Sequence, residues 1–258
     1  MHKVIGLLTD FGLSDPYVGQ VKAVLAARCP DCHVVDLTHG VEPFNIAQGA
    51  FFLASSAGYF PGGSVLLGVV DPGVGSKRRM LVARQDGLTF VAPDNGLACL
   101  ALDAEKTEFY HVREAGDRAS STFHGRDIFA PIAARLASGE SPESFCDRVE
   151  PSETVRPLWS EPLVRKGQCS ARVLHVDRFG NCVLNLRAGA LGPLDNLRIR
   201  TPLGRELPAV DTYSDLPQGA SGLLEGSQGF FEIAVNLGSA AREFGLSMGD
   251  AVSLEWEA

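Results

Sequence analysis

Along the first half of the chain, apolar and polar positions follow two periods in turn. Residues 4–8 form an apolar run of strand length. Asp15 and Pro16 then mark a helix start, and the helix is expected to run to about Arg28. Residues 33–37 are strand-like again. Over residues 45–59, Ile46, Ala50, Leu53 and Ala54 recur at helical spacing. Residues 65–70 make the next buried strand. Residues 80–83 and 88–91 flank Gln85-Asp86-Gly87, which reads as a hairpin turn. Residues 126–136 predict a helix in spite of Pro131. This alternation predicts an α/β fold: an N-terminal, mainly parallel αβα sandwich of Rossmann-like type, covered on both faces.

Between residues 151 and 167 the pattern fails. Pro151, Pro157 and Pro162 interrupt it, as in an extended linker. Beyond it, short strand-like runs recur at 171–176, 182–186, 197–201, 206–210, 230–235 and 251–256. Turn residues such as Gly180-Asn181 and Leu203-Gly204 separate them. The expected organisation is a domain over 1–150, a proline-containing linker over 151–167, and a smaller C-terminal β-barrel domain over 168–258.

Composition narrows the possible partners. The 258 residues are 45 % hydrophobic and 21 % charged, as in a soluble globular protein. The formal net charge of -8 argues against a nucleic-acid binder, which needs a basic face. The first residues enter a strand-like run with no signal peptide. No apolar stretch is long enough to span a bilayer, so neither membrane nor export is indicated and a cytoplasmic location is expected. Cys99, Cys146, Cys169 and Cys182 are scattered singly and read as reduced, mostly buried thiols. Cys29-Pro30-Asp31-Cys32-His33 matches the haem-attachment pattern, but it lies where a helix ends and a strand begins, without an export signal. Neither haem nor a metal is expected, and no cofactor.

The candidate chemistry gathers at strand ends. In a parallel α/β sheet, ligands collect beyond the carboxyl ends of the strands. Asp10 follows residues 4–8, Asp71 follows 65–70, and Asp94-Asn95-Gly96 follows 88–91. One such Asp is most simply a turn cap; three at equivalent ends indicate a site. Asp71-Pro72-Gly73-Val74-Gly75 leads into Lys77-Arg78-Arg79, so a doubled-back turn can set Asp71 against Arg78. Neither a dinucleotide glycine fingerprint nor a phosphate-binding loop is present. His124 precedes Gly125-Arg126-Asp127 near a helix start. Asp, Arg and His converging would suit activation of water.

Five segments in order carry a family resemblance: Leu8-Thr9-Asp10-Phe11-Gly12, Val70-Asp71-Pro72-Gly73-Val74-Gly75, Ala92-Pro93-Asp94-Asn95-Gly96-Leu97, Thr122-Phe123-His124-Gly125-Arg126-Asp127 and Asp177-Arg178-Phe179-Gly180-Asn181. Together they resemble the S-adenosylmethionine hydroxide adenosyltransferases, relatives of the fluorinating and chlorinating enzymes. The resemblance spans essentially the whole chain. It implies a homotrimer with the substrate between subunits, and conversion of S-adenosylmethionine and water into adenosine and methionine. It implies catalytic roles for Asp71, Arg78 and His124; Arg79 competes for the Arg role, with spacing favouring Arg78. It also implies that Asp10 binds the ribose, that Asp177 and Asn181 hold the methionine amino group and the adenine, and that Ser227, Glu232 and Val235 close on the ligand.

The departures from the halogenating relatives are informative. Those enzymes carry Tyr at the position of Asp71. The fluorinating branch has a hydroxyl residue at Val74 and Ser at Gly125. A carboxylate repels a desolvated halide, so Asp71 favours water. Gln228 stands where relatives hold the methionine carboxylate with Arg, leaving Ser227 and backbone donors for that contact. The alternatives are a halide-using adenosyl transferase and a nucleoside-binding sensor.

Overall fold

The computed structural model describes residues 3–113, 120–191, 198–200 and 206–256. It divides into two compact units, Met1–Pro157 and Leu158–Ala258.

The first unit runs β1 (Lys3–Thr9), α1 (Tyr17–Arg28), β2 (Cys32–Thr38), α2 (Ile46–Ala57), β3 (Val65–Val69), β4 (Met80–Gln85), β5 (Leu88–Pro93), β6 (Glu108–Val112), α3 (Ala130–Ala137) and β7 (Cys146–Val149). Its seven strands lie in the order β2-β1-β3-β5-β4-β6-β7. β2, β1, β3 and β5 are mutually parallel. The β4–β5 hairpin then reverses direction, and β6 and β7 continue antiparallel. The sheet is therefore mixed, parallel over four strands, rather than largely parallel. Asp86 (φ 51°) and Gly87 (φ 78°) form the two-residue loop, the left-handed pair that matches strand twist.

Both faces of this sheet are covered. Ile5, Leu7, Val65 and Leu67 pack with Val21, Leu25, Ile132 and Ala133 from α1 and α3. Leu8, Leu66 and Val70 pack with Leu53 and Ala57 of α2 on the other side. All five residues of β3 are buried, which explains its unbroken apolar run. The Asn45 side chain caps α2 by accepting from the Gln48 N–H. Asp15 does not cap α1: Pro16 occupies the N-cap position, with no side-chain hydrogen bond. The expected helix at 126–136 begins as a π-turn, Gly125–Phe129, and continues as α3 with Pro131 in its first turn. Pro131 lacks the N–H that would reach back to the preceding turn, and the widened π-turn is where the helix accommodates that gap.

The expected linker, residues 151–167, spans the boundary between the units: the single-turn helix Pro151–Glu153 belongs to the first, and the single-turn helix Leu158–Ser160 and strand β8 (Leu163–Arg165) to the second. Strands β9 (Gln168–Val176), β10 (Cys182–Arg187), β11 (Arg198–Arg200), β12 (Glu206–Pro208), β13 (Ser221–Glu225) and β14 (Phe230–Val235), helix α4 (Ala240–Phe244) and β15 (Ala251–Glu255) follow. The sheet order is β12-β11-β15-β9-β10-β14-β13, with β8 paired to β9. Its core is built from Val173, Leu184, Leu223, Phe231, Ile233 and Leu254. Just past β12, the Val210 N–H donates to Leu223 O of β13, linking the two ends of that order. Of the expected strand 197–201, Leu197 and Thr201 lie outside the described residues, as does the Leu203-Gly204 turn.

Cys99, Cys146, Cys169 and Cys182 form no disulfide and are buried. Cys29 and Cys32, at the junction of α1 and β2, form a disulfide across a Cα–Cα separation of 5.3 Å. No helix among the described residues is long and apolar enough to cross a membrane.

Candidate active site

The parallel register of β1 and β3 sets Thr9 beside Val69. The next residues, Asp10 on one strand and Val70-Asp71 on the other, therefore leave the same end of the sheet. After Asp71 the chain makes a tight turn: Val74 N–H donates to Asp71 O, Ser76 N–H to Gly73 O, and Arg78 N–H to Ser76 Oγ. The turn folds Arg78 back onto the strand end. Its Nε lies 2.6 Å from Asp71 Oδ1, and its Nη2 donates to Oδ2. This is a two-pronged pair between side chains only 10 % and 5 % exposed. The fork geometry is available to Arg and not to Lys. The guanidinium also sits over the Phe129 ring, 5.0 Å from its centroid.

His124 joins this pair from the start of the π-turn. Its Nδ1 lies 3.1 Å from Arg78 Nη2. A guanidinium can only donate, so Nδ1 accepts and the ring proton belongs on Nε2. Burial pushes the His124 pKa down, and the Arg78 charge pushes it the same way; Asp71 and Asp127 partly oppose them. His124 is thus held neutral, with an Nε2–H free to donate elsewhere. The following residue has to be small: a Cβ on Gly125 would lie 3.2 Å from Phe11 Cζ and 3.4 Å from Val69 Cγ1. Phe11, Tyr17 and Phe123 pack edge to face around this point.

Asp10 lies close enough to Asp71 to feel its charge. Burial raises the Asp10 pKa first; the Phe44 N–H, 2.9 Å from Oδ2, works against that, and the Asp71 carboxylate adds to the rise. Two carboxylates, one guanidinium and a neutral imidazole give this rim a net negative charge. It would attract a cation and repel a free anion.

The other strand-end residues part company with these. Asp94, the third expected rim carboxylate, is 6 % exposed and turns inward. Its Oδ2 faces His111 Nε2 at 2.9 Å, and its Oδ1 accepts from the Val155 N–H. Arg79 points to His111 Nδ1 at 2.9 Å, away from Asp71. The two adjacent arginines are thereby distinguished: Arg78 meets the Asp and the His, and Arg79 does not.

The remaining expected residues sit in the second unit. Asp177 closes the β9–β10 turn. Its Oδ1 accepts from the N–H groups of Phe179 and Asn181, and its Oδ2 accepts from Asn181 Nδ2 at 3.0 Å. Glu232 is buried on β14 and accepts from the Tyr213 hydroxyl. Burial raises the Glu232 pKa, the Tyr213 hydrogen bond opposes this, and the nearby Asp177 charge raises it further. Asp177, Asn181, Glu232 and Tyr213 thus make one polar cluster. Ser227 is exposed in the turn that Gly229 N–H closes onto Gly226 O. Val235 buries its side chain in the core. Tyr213 and His111 escaped the sequence reading, because neither belongs to a motif; only the fold brings them to a carboxylate. Among the described residues no group of three or more His, Cys, Asp or Glu side chains is arranged to hold a metal ion.

Comparison with known proteins gives this geometry a context. A family model described as the SAM hydroxide adenosyltransferase N-terminal domain matches residues 5–146, and one described as the C-terminal domain of the same proteins matches residues 171–253. The chain is 42 % identical over 258 residues to an (R)-S-adenosyl-L-methionine hydrolase of Thermus thermophilus, with 96 % of this chain and 97 % of that protein covered. A fluorinase of Actinopolyspora mzabensis is more distant, at 28 % identity over 286 residues and 96 % of each protein. Among solved structures, an uncharacterised conserved protein of Thermotoga maritima superposes with a TM-score of 0.82 at 35 % identity, covering 97 % of this chain and 99 % of that one.

Proposed function

The chain belongs to the S-adenosyl-L-methionine hydroxide adenosyltransferase family, and on that footing we propose that it hydrolyses S-adenosyl-L-methionine to adenosine and L-methionine. Water attacks C5′, the C5′–S bond breaks, methionine leaves as a neutral thioether, and one proton is released. The leaving group needs no acid, so the protein has only to orient water and accept its proton.

The observation that carries this reading is the convergence of Asp71, Arg78 and His124. In it, Asp71 is the base. Arg78 fixes the carboxylate in one orientation and offsets its charge. The His124 Nδ1 is occupied by Arg78, so His124 serves as an Nε2–H donor to the water oxygen and leaves the proton to Asp71. Asp10 binds the ribose diol. Asp177, Asn181, Ser227, Glu232 and Val235 are assigned to the methionine and adenine ends of the substrate, Val235 through its backbone. The negative rim suits a sulfonium cation. It disfavours a halide, because both prongs of the fork are already spent on Asp71.

The finer architecture belongs to the same proposal: a Rossmann-like first domain over 1–150, a linker over 151–167 and a β-barrel over 168–258. The Val210–Leu223 link between the ends of the second sheet supports the barrel. A homotrimer with the site between subunits and a cytoplasmic location are proposed with it; four buried cysteines outside any disulfide support the location, and the Cys29–Cys32 disulfide does not. The test is the product profile after incubation with S-adenosyl-L-methionine in chloride buffer. Adenosine and methionine in equal amounts support the reading. 5′-Chloroadenosine, or tight adenosine binding with no turnover, overturns it.

A further inference from the structure

The turn that carries Asp71 and Arg78 is held at both stems by one dipeptide. On the incoming stem, Asn95 Nδ2 donates to Val70 O at 2.9 Å, one residue before Asp71. On the outgoing stem, the Asp94 N–H donates to Arg79 O at 3.0 Å, one residue after Arg78. That same carbonyl faces Arg78 Nη1 at 3.5 Å. Asn95 is itself fixed, since its Oδ1 accepts from the Leu97 N–H at 3.1 Å.

The outgoing stem is locked a second time, through side chains. Arg79 Nη1 donates to His111 Nδ1, and His111 Nε2 donates to Asp94 Oδ2. With the backbone bond from Asp94 to Arg79 this closes a ring, in which one tautomer of His111 satisfies every member. His111 comes from β6, two strands away from β5 in the sheet order, and pairs in register with Leu81 at the start of β4. Asp94 and His111 are each 6 % exposed, so water competes little for the bond between them.

We propose that Asp94, Asn95 and His111 are positioning residues for the hydrolysis, setting the distance between the two stems and so the alignment of the Asp71–Arg78 fork. The inference rests on the reading of Asp71 and Arg78 as catalytic. The three residues act through the stems that they hold, and not by touching substrate. A fork released from its stems can still form an ion pair, but in more than one geometry. A misplacement of about 1 Å at such a site costs on the order of a hundredfold in rate.

The experiment uses the full-length protein and three variants: Asn95→Ala, His111→Phe and His111→Gln. Asn95→Ala removes the incoming hold at a partly exposed position. His111→Phe breaks the outgoing ring, and His111→Gln returns an N–H toward Asp94. Each is measured for adenosine formation and, by NMR, for the titration of His124. The expected result is a kcat lower by roughly ten- to a hundredfold in Asn95→Ala and His111→Phe, with KM within about threefold and part of the loss recovered in His111→Gln. The His124 midpoint should rise toward the ordinary histidine value as Arg78 leaves it. Wild-type kcat in folded Asn95→Ala, a KM effect with kcat intact, or an unmoved His124 titration overturns the proposal. Should His111→Phe fail to fold, Asn95→Ala decides it alone. If the unaltered protein forms no adenosine, the proposed function fails instead, and the His124 titration still reads the alignment.

Discussion

Arg78 grips Asp71 with two prongs, Nε at 2.6 Å from Oδ1 and Nη2 on Oδ2, from seven residues further along the chain. The glycine-containing turn between them brings the two together from consecutive sequence. The pair is nearly buried, so its geometry is set by the protein rather than by solvent. In the proposed mechanism that fixes the direction in which Asp71 accepts a proton.

Replacing Asp71 by Asn keeps the shape and removes the proposed base. The expected loss in kcat is about a hundred- to ten-thousandfold, the usual range for a general base, with KM changed only a few-fold. Steady-state adenosine formation measures it. A loss confined to KM would instead make Asp71 a binding group.

Arg78→Lys keeps the charge and loses the fork. A point cation cannot hold both carboxylate oxygens, so kcat should fall at least about tenfold. Arg79 bears on Asp71 only through the hydrogen-bonded ring that includes His111, and a Lys can still donate to His111 Nδ1, so Arg79→Lys should lose less turnover than Arg78→Lys. Equal losses in the two variants would contradict the assignment of Arg78.

The state of His124 fixes a pH dependence. Its pKa is depressed by burial and then by Arg78, below the ordinary 6.5. The proposed mechanism uses the neutral ring, because a protonated Nδ1 would face Arg78 Nη2. The acid limb of kcat/KM should therefore fall below 6.5. Stability follows the same sign: the unfolded chain takes up this proton first, so the contribution of His124 weakens folding as pH drops from 6.5 toward the lower folded value. An acid limb above 6.5 would contradict the geometry.

Gly180 lies in the turn that carries Asp177 and Asn181. Its φ is 90°, and an added Cβ would sit 2.6 Å from Ser239 Cβ and 2.9 Å from Ser239 Cα. Gly180→Ala meets both a left-handed backbone and an immovable neighbour, so a loss of about 2–3 kcal/mol is expected. Urea unfolding measures it; a change below about 0.5 kcal/mol would mean that the turn readjusts freely.

Tyr213→Phe removes the hydroxyl that donates to buried Glu232. Leaving that acceptor unpaired costs about 1–3 kcal/mol, and the Glu232 pKa should rise further. If the cluster binds substrate, KM rises about tenfold while kcat changes less. An unchanged KM would remove the cluster from the site.

Much of the fold was legible where one physical requirement dominated. β3 is buried throughout and reads as an apolar run. Asp86-Gly87 announces its hairpin, because few other pairs accept that turn. β6 was not legible: Glu108 and His111 interrupt its apolar pattern, although Phe109, Tyr110 and His111 are all buried. β13 is short and half hidden by Ser221-Gly222. The Asp86-Gly87 hairpin implies the reversal of direction at β4, but the order β3-β5-β4-β6-β7 depends on long-range pairing, which no local pattern encodes. In the site, motifs singled out Asp71, Arg78 and His124, and the fold brings them together. They did not reveal that Asp94 turns inward, since that depends on His111 arriving from a distant strand.

The central claim is that water, aligned by Asp71, Arg78 and His124, is the nucleophile at C5′. Turnover in oxygen-18 water tests it most directly. The account predicts one labelled oxygen in the 5′-hydroxyl of adenosine, none in methionine, and loss of the labelled product in Asp71→Asn. Unlabelled adenosine, or labelled adenosine formed at an undiminished rate by Asp71→Asn, would contradict it.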